Sequence, residues 1–434
     1  MLDIKYVIRN AEAVEANCAD RLMPRDVGAV VGLVEARNQA ITEMESCRRA
    51  MNENAASMKQ QLAPEARQQL IQRGRDLKQQ VAELDARANE LRAQVEEELR
   101  LMPNLTHPDV PVGKDDTDNL ELKRWGTPPA FDFEVRDHVV LGRDLDLIDF
   151  DSGAVVAGQK FYFLRNEAVL IDLALQRLAV ERLMARGFTP VITPDLAKPE
   201  ILEGIGFNPR GEESQVYSIT GHDLCLVGTA EIPIGGMLRD RVLPAADMPV
   251  KVVGISHCFR TEAGAAGRES RGLYRVHQFT KVEMFVFCSA DAGEDGRPQS
   301  ESWHDELLAA EEELLQALEI PYRVVDVCTG DLGAPAYRKF DIEAWMPGRG
   351  DYGEVTSTSN CTDYQSRRLG IRARPEAGAK PAFVHTLNGT AIALSRTLIA
   401  LLENHQQADG SIQMPLALQQ YLPFDRIEAK QPKG

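Results

Sequence analysis

The sequence predicts a two-part molecule: a long antiparallel helical hairpin, then one large unit mixing helices and strands. Three observations carry this expectation. Apolar residues recur at heptad spacing from about residue 26 to 102 with one break. Residues 103–119 (PNLTHPDVPVGKDDTDN) lose all periodicity and gather Pro, Gly, Asp and Asn, which marks a linker. After about Leu120, amphipathic helical segments alternate with short β-branched runs. The expected division is an arm over residues 1–110 and a second domain over 111–434, and 434 residues are enough for each to bury its own core.

In the first heptad run, Val27, Val34, Ile41, Ala55 and Leu62 form one seam and Val30, Met44, Met51 and Met58 the other, interrupted by Arg37 and Arg48. After Ala63-Pro64 the repeat resumes. Leu70, Leu77, Leu84 and Leu91 form one seam, and Val81, Ala88, Val95 and Met102 the other, with Gly74 its weak member. Two runs joined by a Pro-containing break predict two helices folded back on one another, residues 26–62 reaching about 55 Å. Such a hairpin can be an oligomerisation device and nothing more.

Charge placement favours a different use. The chain carries 49 Lys+Arg against 66 Asp+Glu, a formal net charge of −17, which disfavours partners that need a basic surface everywhere, such as duplex DNA or an anionic membrane. Between Ser46 and Gln80, around the proposed bend, seven bases (Arg48, Arg49, Lys59, Arg67, Arg73, Arg75, Lys78) outnumber three acids. An acidic chain that concentrates positive charge at the end of an arm is suited to touch phosphate there.

Hydrophobic content of 44% and charged content of 26% exclude disordered and fibrous classes. Seven cysteines, odd in number and without a CxxC pair, fit buried thiols in a reducing compartment. No apolar run approaches 18 residues, and Met1–Lys5 lacks a basic n-region, so the expectation is a cytoplasmic protein without a membrane partner.

In the second unit, residues 168–186 predict an amphipathic helix, followed by Gly187-Phe188 and a short strand ending at Pro194. Strands are expected at 250–255 and 282–287, and helices at 304–318 and from about 391 to 404. His304-Asp305-Glu306 on the Glu-rich helix is expected on a solvated face. The densest chemical cluster is Phe259-Arg260-Thr261-Glu262, a Gly-rich loop (AGAAGRESRG, 263–272), then Arg275-Val276-His277-Gln278-Phe279 and Lys281-Val282-Glu283. It predicts an antiparallel hairpin with Arg260 and Glu283 facing one pocket, the arginine fork suiting a phosphate or carboxylate.

These residues resemble the second signature of class II aminoacyl-tRNA synthetases, Phe-Arg-x-Glu, a loop, then Arg275, Phe279 and Glu283. Gly187 to Pro194 is similar to the first signature, which in that family forms a dimer interface. Asn388-Gly389-Thr390 followed by Arg396 resembles the third. With the helical hairpin, Thr229-Ala230-Glu231 and Glu354-Val355-Thr356-Ser357, the ordered set is similar to the seryl-tRNA synthetases of bacterial or organellar type. The resemblance implies an α+β fold, a class II antiparallel sheet flanked by helices, with an N-terminal antiparallel coiled-coil arm over about 26–102. It implies a homodimer that joins L-serine to tRNA(Ser), a tRNA with a long variable arm, through a seryl-adenylate. Serylation of tRNA(Sec) is an additional activity open to the family.

The same resemblance implies roles for single residues. Arg260 would bridge the α-phosphate of ATP and the serine carboxylate, Glu262 would read the adenine amino group and Phe279 would stack on the base. Thr261, Val276, Val355 and Thr356 would complete the ATP site, Arg396 would hold the γ-phosphate, and Glu354 and Ser357 would support Mg²⁺. Serine would meet Thr229, Ala230, Glu231, Asn388, Glu283 and Thr390, the last two nearest its hydroxyl; Arg260, Glu283 and Arg396 would carry catalysis. The arm's seven bases would bind tRNA.

The chemistry agrees with this set. A substrate carboxylate attacking the α-phosphorus is already ionised, so the reaction needs positioning and cations instead of a general base. A site that hydrogen-bonds a substrate hydroxyl rejects the analogue lacking it by ~10⁴–10⁵-fold. His257-Cys258 has no second Cys/His pair at ligand spacing, so no zinc is expected, unlike the zinc-dependent seryl enzymes of some archaea. Thr390 stands where serine is also common, and Ser395 where glycine is often found. Two other readings remain: an enzyme passing an aminoacyl-adenylate to a carrier, and a non-catalytic coiled-coil protein with a relict core.

Overall fold

Helix α1 (Ile4–Arg9) begins at Asp3, whose carboxylate accepts from the N–H groups of Lys5 and Tyr6, and α2 (Ala11–Asp20) follows at once. The computed structural model describes residues 1–61, 63–207, 215–262, 271–293, 296–374 and 378–430. The expected seam residue Leu62 and loop residues 263–270 lie outside them. The chain divides into two units, Met1–Leu105 and Thr106–Gly434.

In the first unit, α3 (Val27–Ser57) is capped by Asp26, which accepts from Ala29 N at 2.8 Å, and α4 (Pro64–Leu101) opens on a proline, where no N–H is missed. The 31 residues of α3 make about 46 Å of helix. Val27, Val30, Val34 and Met44 of α3 and Ala88 and Val95 of α4 are buried, so the heptad seams are the contact. Val7, Val14 and Cys18 from α1 and α2 extend the core at the open end. Nearer the bend the seam turns polar: Asn54 is buried, donates to Leu70 O at 2.9 Å and packs beside Gly74. The arm's seven predicted basic residues are all exposed.

The second unit is built on eight strands: β1 (Leu120–Trp125), β2 (Thr189–Ile192), β3 (Val250–Phe259), β4 (Gln278–Cys288), β5 (Tyr322–Asp326), β6 (Arg338–Met346), β7 (Asp351–Asn360) and β8 (His385–Ala393). Their order is β1-β5-β6-β7-β8-β4-β3-β2. All neighbours pair antiparallel except the edge strand β2, which is parallel to β3. Helices α5 (Glu167–Ala185), α6 (Glu231–Met237), α7 (Gln299–Ala317) and α8 (Leu394–Asn404) pack against it. Among the described residues, no helix is long and apolar enough to cross a membrane.

Strand periodicity places the site. Along β4, Val282, Met284 and Val286 enter the core shared with α5, α7 and α8, whereas Phe279, Lys281 and Glu283 point into a cavity. The expected strands and helices are present, with α7 starting five residues before the predicted 304 and α8 starting at Leu394 instead of about 391, because Ala391–Ala393 complete strand β8. The solvated face expected at His304 is corrected: His304 is buried, donates from Nε2 to Thr358 O at 3.0 Å and stacks on Phe340. Burial pushes its imidazole down to about 4, so it sits neutral in the fold.

Gly254 lies opposite Glu283 in the β3–β4 ladder. A Cβ there would meet Ile234 Cδ1 at 2.6 Å and Ala230 Cβ at 3.0 Å, so the missing side chain lets α6 close on the sheet. Gly254→Val should destabilise the unit by ~1–3 kcal/mol through overpacking. A lowered midpoint in chemical denaturation checks this, whereas Gly32→Ala, in open space within α3, should not lower it.

Candidate active site

A cavity of about 940 Å³ opens over the centre of the sheet. It gathers residues from β4, β6, β7, β8, α6 and the N-terminus of α8, with loop residues between them, spread along the chain from Phe207 to Arg396. Of the residues expected at the site, Thr229, Glu231, Arg260, Glu262, Val276, Phe279, Glu283, Glu354, Val355, Thr356, Ser357, Asn388, Thr390 and Arg396 line it. Ala230 and Thr261 do not: Ala230 is fully buried at the start of α6, and Thr261 is tied to Gln215, its N–H donating to Gln215 O at 3.2 Å.

One end of the cavity is rich in carboxylates. Glu231 Oε1 accepts from Gln365 Nε2 at 2.7 Å and Asn388 Nδ2 at 2.9 Å, and Gln365 in turn is held by Ile205 O and Thr386 Oγ1. Burial, and then the nearby Glu283, push the Glu231 carboxyl up to about 7. Glu283 Oε2 accepts from Thr390 Oγ1 at 3.0 Å and lies 2.7 Å from Lys281 Nζ. This end offers negative charge and hydroxyl-sized hydrogen-bond partners.

The other end is cationic. Arg396, in the first turn of α8, donates from Nε to Tyr274 O at 3.2 Å and pairs with Glu354 Oε2 at 3.0 Å. Its guanidinium lies over the Tyr274 ring, 4.7 Å from the centroid. Burial would raise the Glu354 carboxyl, but Arg396 and Lys339 outweigh it and hold it well below its ordinary range. Asp341, hydrogen-bonded by Ser357, has a buried Oδ1 without a partner among the described residues. Between the two ends Arg260 lies over the Phe279 ring at 5.4 Å, its carbonyl accepting from His277 Nδ1 at 2.9 Å.

The family description "Seryl-tRNA synthetase N-terminal domain" matches residues 1–106, and "tRNA synthetase class II core domain (G, H, P, S and T)" matches residues 215–405. The chain belongs to the seryl-tRNA synthetase family. It is 55% identical to the serine–tRNA ligase of Treponema denticola over 98% of this chain and 100% of that protein. The seryl-tRNA synthetase of Pyrococcus horikoshii, solved with ATP, superposes with a TM-score of 0.94 at 40% identity, covering 99% of this chain and 100% of that one. The cytoplasmic serine–tRNA ligase of Naegleria fowleri, solved with AMP, gives 0.85 at 29% identity, covering 97% and 96%. As a seryl-tRNA synthetase, the chain has the class II core and the coiled-coil arm that its signatures implied.

Reading single signatures missed several lining residues, including Phe207, Tyr274, Lys281, Lys339 and Ser395. For Lys281 a signal existed: it precedes Glu283 by two on one strand and must share its face. Gln365, which fixes Glu231 without lining the cavity, had none.

The raised Glu231 carboxyl has a stability consequence. The folded chain keeps a proton there that the unfolded chain gives up near the ordinary value of 4.5, so this group favours the fold less as pH rises from there to about 7. Glu231→Gln should therefore raise the thermal midpoint at pH 8 by about 2–5 °C, and the two midpoints should converge below about pH 5. Calorimetry at the two pH values checks both.

Proposed function

We propose that the chain attaches L-serine to tRNA(Ser) in two steps, using ATP. In the first, a serine carboxylate oxygen bonds to the α-phosphorus of ATP as the bond from that phosphorus to the α,β-bridging oxygen breaks, giving seryl-adenylate and diphosphate. In the second, a hydroxyl at the tRNA 3′ end attacks the seryl carbonyl and AMP leaves. The observation that carries this reading is the joining, in one cavity, of the Glu231–Glu283–Thr390 end with the Arg260 and Arg396 cations.

The residues divide the work by charge. Glu231 receives the serine ammonium, with Thr229 and Asn388 beside it, and Glu283 and Thr390 receive the hydroxyl. Arg260 binds the serine carboxylate and the α-phosphate together, which brings nucleophile and electrophile into line and offsets charge growing on the phosphoryl oxygens. Phe279 stacks on adenine, Glu262 accepts from its amino group, and Arg396 at the α8 N-terminus holds the γ-phosphate.

The oxygen donors Glu354 and Ser357, beside the unpartnered Asp341 oxygen, fit a hard cation, and they would hold Mg²⁺. Bound there, Mg²⁺ supplies charge neutralisation of the triphosphate.

The exposed bases Arg48, Arg49, Lys59, Arg67, Arg73, Arg75 and Lys78 grip the tRNA variable arm through its backbone, a contact to shape instead of sequence. The same surface would serve tRNA(Sec). A homodimer is supported by apolar exposure around the first signature: Ile192 on edge strand β2 is 85% exposed, and Leu170, Leu173 and Met184 of α5 are exposed too. None of the seven cysteines is in a disulfide, in line with work in the cytoplasm.

ATP–pyrophosphate exchange with each of the twenty amino acids, followed by charging of total tRNA, tests the reading. Serine alone should support exchange at full rate. Reversing Arg67, Arg73, Arg75 and Lys78 to Glu should leave exchange within twofold, while tRNA affinity falls at least ~10²-fold and its salt dependence flattens. Exchange without charging by the intact chain would favour transfer to a carrier, and no exchange would favour a relict core.

A further inference from the structure

Lys281 and Glu283 are nearly inaccessible to solvent, with side chains 7% and 2% exposed. Their placement is a consequence of strand period: both point from β4 toward the cavity, and Thr390 of β8 stands directly opposite Glu283 in the ladder. Three contacts close a triangle. Lys281 Nζ lies 2.7 Å from Glu283 Oε2, Lys281 Nζ donates to Thr390 Oγ1 at 3.3 Å, and Thr390 Oγ1 donates to the same Glu283 Oε2 at 3.0 Å.

The directions in this triangle are forced. An ammonium has three donors and no acceptor, so Thr390 Oγ1 must accept from Lys281. The single hydroxyl proton of Thr390 is then committed to Glu283, and the hydroxyl cannot rotate to offer that proton to a ligand. Both contacts to Glu283 fall on Oε2, which leaves Oε1 for whatever enters the cavity.

We propose that Lys281 is a positioning residue for substrate selection: its ammonium anchors Glu283 Oε2 and aims the Thr390 hydroxyl, so that the carboxylate end presents acceptors to a ligand group that must donate. A serine hydroxyl donates to Glu283; a methyl group or a fluorine in its place cannot. Lys281 thus acts through its two neighbours, and the inference rests on the serine-activating reading of this cavity.

The surroundings make the ammonium necessary. Glu231 from α6 and Glu311 from α7 face the same region; Cys258 of β3 also interacts with the pair, and Arg260 beyond it interacts with Glu231 and Cys258. Glu311 is fully buried, accepts from Thr356 Oγ1 at 2.9 Å, and is held well above its ordinary range by burial. Three carboxyl groups thus meet around Lys281. Deleting its ammonium removes the contact that holds Glu283 Oε2 and frees the Thr390 hydroxyl to turn, so neither acceptor keeps its direction toward the cavity.

The test is pyrophosphate exchange by the full-length enzyme at pH 8, using wild type, Lys281→Met, Lys281→Gln and Lys281→Arg. Lys281→Met should raise the serine KM by at least ~30-fold while the ATP KM stays within twofold. Lys281→Arg should restore the serine KM to within threefold of wild type. If Lys281→Met does not fold by circular dichroism, Lys281→Gln decides: a serine KM raised at least ~30-fold beside an unmoved ATP KM supports the proposal, and an unmoved serine KM overturns it. A folded Met variant with serine KM within threefold, or with serine and ATP KM raised together, also overturns it. Absence of serine-dependent exchange in the wild type would sink the underlying activity instead, so the two failures are distinct.

Discussion

Charge buried at the centre of an antiparallel sheet is the constraint on which the catalytic unit depends. Glu231, Glu283 and Glu311 are taken out of water within one small region, and isolated carboxylates there would cost several kcal/mol each. The fold meets this cost in three different ways. Glu283 receives Lys281 and Thr390, Glu231 receives two amide donors, and Glu311 sits above its ordinary range with one threonine contact. Each arrangement depends on strands in register, which is why Gly254 and Gly389 matter. A Cβ on Gly389 would come within 2.8 Å of Glu311 Oε1, so β8 approaches α7 as closely as it does only without a side chain.

The opposite end of the cavity uses the complementary device. Arg396 and Lys339 hold Glu354 ionised, so this end carries cations whose own partner is a fixed carboxylate. An anion entering there would exchange with one already present instead of neutralising bare charge. Preorganisation of this kind is what a reaction without a general base requires, because its rate rests on placement and on dipoles already aligned.

Much of the fold was legible in the sequence because it obeys local periods. Heptad seams identified the two long helices, and the β-branched run at 282–287 identified the central strand, with Glu283 alone on it expected to face the pocket beside Arg260. The ordered signatures placed fourteen expected residues on one cavity. What the sequence withheld came from tertiary contact. His304 lies in a helix of acidic appearance, yet the stack on Phe340 and the Thr358 carbonyl bury it. Gln365 is invisible as a support for Glu231, since only folding brings positions 231 and 365 together. Arg37 and Arg48 looked like flaws in a seam, whereas the polar change toward the bend culminates in a buried Asn54 bonded across the hairpin. The net charge of −17 likewise describes a sum whose positive part is displayed on exposed faces of the arm.

The central claim is that the enzyme receives a substrate ammonium on a carboxylate that burial keeps close to neutrality. It is tested most directly by the serine KM of the wild-type enzyme in pyrophosphate exchange from pH 6 to 8.5, with the ATP KM as internal reference. Glu231, pushed up to about 7, is protonated at the lower limit and ionised at the upper. The serine KM should therefore fall about tenfold as pH rises from 6 to 7.5 and level off above, while the ATP KM changes little. A serine KM that is flat across that range would contradict the account.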